Sequence, residues 1–64
     1  MMFRYGNLRY LADEGWVFIE NGEIKKIEEE DFTIILNKLG KDGWELVLLD
    51  EYIGYIFKKR KGWF

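Results

Sequence analysis

The sequence contains no cysteine, histidine or serine, and its single threonine is Thr33. Disulfide staples and thiolate- or imidazole-based zinc sites are therefore excluded. So are the serine, cysteine and imidazole routes to nucleophilic catalysis. Glutamine is missing too, and with many Lys, Glu, Ile and Tyr the composition fits a thermophilic source. No apolar run approaches the roughly 18 residues that a membrane-spanning helix needs. The opening Met1-Met2-Phe3-Arg4-Tyr5-Gly6-Asn7 lacks the apolar stretch of a signal peptide, so the expected location is the cytoplasm, away from membranes. Neither sign of charge dominates: ten Lys and Arg stand against twelve Asp and Glu, a net charge of -2, which disfavours general nucleic-acid binding.

What is present is a single domain spanning residues 1–64. Hydrophobic residues make up 48% of the chain and aromatics 19%, too apolar for intrinsic disorder, while 34% charged residues keep it soluble. A domain of this size buries only about 60% of its unfolded surface, so its margin of stability is thin. With disulfides and zinc excluded, association with further copies is the expected staple, and a homo-oligomer is the expected state.

The run Leu8-Arg9-Tyr10-Leu11-Ala12-Asp13-Glu14-Gly15-Trp16 returns as Leu36-Asn37-Lys38-Leu39-Gly40-Lys41-Asp42-Gly43-Trp44. Each copy reads as a short helix with leucines three apart, a glycine in the left-handed position past its end, and a tryptophan opening a strand. The halves 7–28 and 32–60 then form a pseudo-repeat of helix, strand, strand. In the second half Asp31 is the expected N-cap and Phe32, Ile35, Leu36 and Leu39 form one stripe of a helix running to about Lys41, with Ile34 off the stripe. Gly40 in its last turn suggests a tight approach. The first helix, about Asn7 to Glu14, is too short to stand alone and depends on Leu8 and Leu11 packing.

Trp16 to Glu20, Asn21-Gly22, and Glu23 to Ile27 form a strong hairpin signal, because Asn-Gly supplies the two positive φ values of a type I′ turn. A second hairpin is expected from Trp44 to Leu49 and Tyr52 to Lys58. The fold class expected is α+β: two short helices packed on a mainly antiparallel four-stranded sheet. Along Trp44–Leu49, alternation sends Trp44, Leu46 and Leu48 one way and Glu45, Val47 and Leu49 the other, so both faces are largely apolar. Two helices do not cover both. Val47, Leu49, Val17 and Ile19 are accordingly expected to meet a loop, a terminus or a second copy of the chain, the second copy being preferred.

The segment Leu36-Asn37-Lys38-Leu39-Gly40-Lys41-Asp42-Gly43-Trp44-Glu45-Leu46-Val47, closed by Tyr55-Ile56-Phe57-Lys58-Lys59-Arg60, resembles a family of very small bacterial and phage domains of unknown function. The resemblance covers about residues 23 to 60, with Glu23–Glu28 as the family's opening strand, and implies a β-α-β-β core. It brings no catalytic residue. This chain departs from the pattern by placing additional elements before the opening strand. The association with phage implies a role as a small antagonist of a host protein.

Candidate sites are few. Glu28-Glu29-Glu30-Asp31 reads as a cluster of metal-binding carboxylates, as a decoy for nucleic-acid phosphates or, preferably, as acids favoured at the positive end of a helix dipole. No metal site, cofactor site or phosphate-cradling glycine loop is expected. Trp16 and Trp44 are expected core pillars. Glu45 with Asp50 or Glu51 would need a deep cleft to act as an acid and base pair, so no enzyme activity is expected. Lys58, Lys59, Arg60 and Lys61 form a basic tail followed by Trp63 and Phe64, two aromatics suited to anchoring a partner. The leading expectation is a non-enzymatic, oligomerising interaction protein with a protein partner. Its alternatives are a small-ligand or nucleotide module whose pocket forms between subunits, with Arg4, Arg9 or Lys41 on the anion, and a nucleic-acid accessory using the basic tail.

Overall fold

A computed structural model describes residues 2–60. The elements are β1 (Phe3–Leu11), β2 (Gly15–Glu20), β3 (Glu23–Lys26), α1 (Phe32–Lys41), β4 (Glu45–Asp50) and β5 (Gly54–Arg60). All five strands form one antiparallel sheet in the order β3-β2-β1-β5-β4. The chain leaves β3 at one edge and reaches β4 at the other, with α1 between them on one face. Two helices on a four-stranded sheet were expected; one helix and five strands are found among the described residues.

The missing helix is the segment from Asn7, which instead forms most of β1. Leucines three apart suit a helix stripe, but this stretch is too short to hold a helix by itself. As a strand it gains two ladders, one to β2 (Leu8 opposite Phe18) and one to β5 (Leu8 opposite Tyr55). Directly opposed residues share a face. Gly6, Leu8 and Tyr10 therefore point to the helix side, and Tyr5, Asn7 and Arg9 point away from it. The apparent repeat is thus no duplication of helix, strand and strand. What the two copies share is the glycine before each tryptophan, Gly15 at φ 83° and Gly43 at φ 96°, both left-handed. One opens β2 after the turn from β1, and the other follows the helix.

The Asn21-Gly22 turn has φ values of 54° and 77°, as a type I′ hairpin requires, and it joins β2 to β3. Helix α1 starts where Asp31 Oδ1 accepts the Ile34 N–H at 3.1 Å. The acids before it serve the same turn, with Glu29 Oε2 accepting the Asp31 N–H at 3.1 Å. Lys38 and Lys41 sit in the last turn, where the helix dipole favours cations. Ile35 is fully buried, Phe32, Leu36 and Leu39 pack beside it, and Ile34 is exposed. Gly40 was expected to mark a close contact, yet an added methyl there would meet open space.

The core lies between α1 and the sheet and is centred on Leu8, Phe18, Ile35, Trp44 and Phe57. Each such side chain contributes about 1.5–3 kcal/mol by leaving water. Two aromatic groups flank its aliphatic centre. Phe18 meets Trp44 edge-on at 5.0 Å and Phe57 at 6.1 Å; Trp16 stacks on Phe32 at 5.0 Å, and Phe32 meets Tyr55 at 4.9 Å. Trp16 and Trp44 are core pillars, Trp44 buried and Trp16 packed against the cluster. Gly6 is where the Phe18 ring crosses β1, since a side chain there would lie 2.7 Å from Phe18 Cε2.

Candidate interaction surface

The face of the sheet away from α1 carries a row of side chains that crosses all five strands. Register places Ile24, Ile19, Asn7, Ile56 and Leu48 side by side, one from each strand in sheet order. Ile24 and Leu48 are exposed, at 63% and 50%, and Ile19 and Ile56 are half-buried. The one polar member is satisfied internally. Asn7 Nδ2 donates to the carbonyls of Ile53 at 3.0 Å and Tyr55 at 3.2 Å, tying the turn before β5 to the central strand. Gly54, at φ 112°, makes that closure fit, since an added methyl would lie 2.7 Å from the Leu8 carbonyl oxygen.

Neighbouring rows set the rim. Two residues along the strands lie Lys26, Val17 and Arg9, level with Asp50 on β4; two residues the other way lie Tyr5, Lys58 and Glu45. Phe3 lies beyond, opposite Arg60, with Lys58 Nζ 4.6 Å from the centre of its ring. The face is thus apolar in the middle, basic on the β3 and β5 sides, and acidic along β4.

A bulge in β4 decides which leucine joins this face. The register shifts between Leu46 and Leu48, so Leu46 lies opposite Phe57, Leu48 opposite Ile56 and Leu49 opposite Tyr55. Simple alternation put Leu48 with Leu46. The extra residue, Val47, reverses the phase, so that Leu46 and Leu49 share the helix side and Leu48 turns to the open face. Leu46, Val47, Leu48 and Leu49 are all exposed.

The residues expected to meet a partner therefore divide. Ile19 belongs to the open face. Val17 lies on the same side but is fully buried, with the long side chains Arg9 and Lys26 as its cross-strand neighbours, so it offers no surface. Leu49 is exposed on the opposite side and Val47 sits at the bulge. In the basic segment, Lys58 and Arg60 point to the open face, while Lys59 turns to the core side, 5.1 Å from the Trp44 ring centre and 3.7 Å from Asp42. Lys61, Trp63 and Phe64 lie outside the described residues. Ile24, Ile56, Leu48 and Tyr5 were not anticipated as part of a surface. Only the register across β1 brings them together, although Tyr5 and Ile56 stand in aromatic and β-branched runs that favour strands.

The helix side holds a hollow floored by Phe18, Ile35, Leu39 and Trp44. Glu20 stands in it with only 12% of its side chain exposed, paired with the Arg4 guanidinium, which also lies 5.8 Å from the Trp44 ring centre. This arrangement closes the end of the core with charge rather than offering reactive groups. Arg4 is paired with Glu20 on the helix side, and Arg9 lies on the open face. Among the described residues no group of carboxylates has metal-binding geometry, and no helix is long and apolar enough to cross a membrane. No protein-family model matches the chain, and no curated protein or solved structure matches it.

Proposed function

We propose that the chain is a non-enzymatic interaction protein that works as a homo-oligomer and presents an apolar sheet surface to a protein partner. The observation that carries this reading is the exposed apolar surface on a chain of 64 residues: Ile24 and Leu48 on the open face and Leu46, Val47 and Leu49 along β4. A small domain with one helix leaves one face of its sheet without a covering layer among the described residues, and exposed apolar side chains at its edges mark an interface. The resemblance to phage domains extends the proposal to a partner in the host, which the chain would antagonise.

The direct test is sedimentation velocity over a wide range of protein concentration. A species of twice the chain mass or more at micromolar concentration is expected. A single monomeric boundary up to several hundred micromolar would remove the homo-oligomer from the proposal.

A second reading rests on Phe3 and Tyr5, which share the open face with Lys58 and Arg60. Aromatic rings beside cations suit the bases and phosphates of a single strand of nucleic acid. Binding to a fluorescent oligonucleotide would then weaken steeply with salt. The net charge of -2 makes it the weaker reading.

A further inference from the structure

The open face has the right pattern to receive its own copy. We propose that two chains pack open face to open face, with the two-fold axis parallel to the strands, into a sandwich that buries the row from Ile24 to Leu48 and leaves both helices outside. This inference rests on the homo-oligomer proposed above and names the surface and geometry of the contact.

A two-fold axis along the strands and between the sheets keeps each row level with itself and reverses strand order. The β3 edge of one copy then covers the β4 edge of the other. Ile24 faces Leu48 of the second copy, Ile19 faces Ile56, and Asn7, on the central strand, faces Asn7. Two residues along, Lys26 faces Asp50. Lys26 has no ion-pair partner among the described residues. Asp50 uses Oδ1 to accept the N–H groups of Tyr52 at 2.8 Å and Ile53 at 3.0 Å, and its second oxygen makes no hydrogen bond or ion pair among the described residues. Like charges meet only at Arg9, on the axis, where long stems let the guanidinium groups swing to the open end.

Two other arrangements are worse matched. A two-fold axis across the strands reverses the order of rows and brings Asp50 towards Glu45 of the other copy, leaving Lys26 unpaired. Edge pairing of β4 with a second β4 about an axis normal to the sheet sets Glu45 against Asp50 at both ends, and the bulge at Val47 interrupts the ladder.

Five strands about 4.8 Å apart, over about six residues at about 3.4 Å each, give a footprint of about 20 by 20 Å. Two such footprints bury about 800 Å² before side-chain relief is added, below the standard interface, so the dimer expected is a weak one. Aligned packing of two twisted sheets brings their centres closest, so Ile19 and Ile56, one strand either side of β1, are the best reporters.

The chain has no cysteine, so introduced thiols report cleanly. Ile19→Cys and Ile56→Cys proteins, each confirmed folded by circular dichroism, are mixed and oxidised. The expected product is the mixed disulfide dimer, in at least fivefold excess over either homodimer. Leu48→Cys protein oxidised alone is expected to stay uncrosslinked. Efficient crosslinking of Leu48→Cys to itself would mean edge pairing or a two-fold axis across the strands, and either would overturn the proposed sandwich. Absence of the mixed crosslink, with a dimer persisting in sedimentation, would also overturn it while sparing the homo-oligomer. A monomer in sedimentation would remove both. In the same assay Lys26→Glu is expected to weaken the dimer at least tenfold, whereas Lys25→Glu, one residue away on the helix side, leaves it unchanged; equal effects would overturn the assigned axis.

Discussion

The two faces of the sheet are built by the same five strands and finished differently. On the helix side, Leu8, Phe18 and Phe57 are buried beneath Ile35 and its neighbours. On the other, Ile24, Ile19, Ile56 and Leu48 form an apolar row broken only by Asn7, with no helix or strand of the described residues over it. Alternation along a strand can write two apolar faces, but a ten-residue helix can close only one. The difference separates two energetic roles, one face holding the monomer together and the other available to another molecule.

That contrast is sharpest if helix-side changes alter folding and open-face changes alter only association. Leu8→Ala, in the centre of the covered face, should cost about 3–4 kcal/mol by lost burial and the cavity left behind. For a domain this small the expected outcome is an unfolded or barely folded chain in urea titration at fixed protein concentration. Gly6→Ala should come next, at about 2–3 kcal/mol, because the methyl meets a Phe18 ring already held by Trp44 and Phe57. A neutral result would mean that the ring has room to tilt.

Val17 tests the boundary between the roles, since it points to the open side and is nonetheless fully buried. Val17→Ala is expected to cost about 1.5–2.5 kcal/mol of monomer stability, which chemical denaturation at low concentration would read. An effect confined to the oligomer would return Val17 to the interface. The smallest change is expected for Ile24→Lys: within about 0.5 kcal/mol for the monomer, with loss of the dimer in sedimentation. If it destabilised the monomer like Val17→Ala, the two faces would not differ as argued.

Elements governed by local chemistry were legible in the sequence. Asn21-Gly22 dictates its turn, and Asp31 with the Phe32, Ile35, Leu36 and Leu39 stripe dictates α1 at nearly its observed length. The central strand was not. Its inward positions include Gly6, which has no side chain to show the alternation, and its outward ones include Asn7 and Arg9, so leucines three apart looked helical. Its partners, β2 and β5, decide the matter, and pairing Leu8 with Tyr55 is not a local property. The β4 bulge was equally silent, because a run of Leu, Val, Leu and Leu reads as apolar in either phase. The candidate surface was half legible for the same reason: Ile19 was found, Leu48 was assigned to the wrong side, and the row they share exists only once all five strands are in register.

The pairing of β1 with β5 also has a kinetic consequence. The central strand is synthesised before the other elements, yet one of its two neighbours is the last of them. Contacts so distant in sequence raise contact order and slow folding. Until β5 arrives, β1, β2 and β3 can form only a three-stranded meander whose free edge is the future centre of the sheet, offering Phe3 to Leu8 to any other extended chain. Nascent copies on one messenger would meet in that state, and exchange of β5 between them is the hazard that this strand order creates.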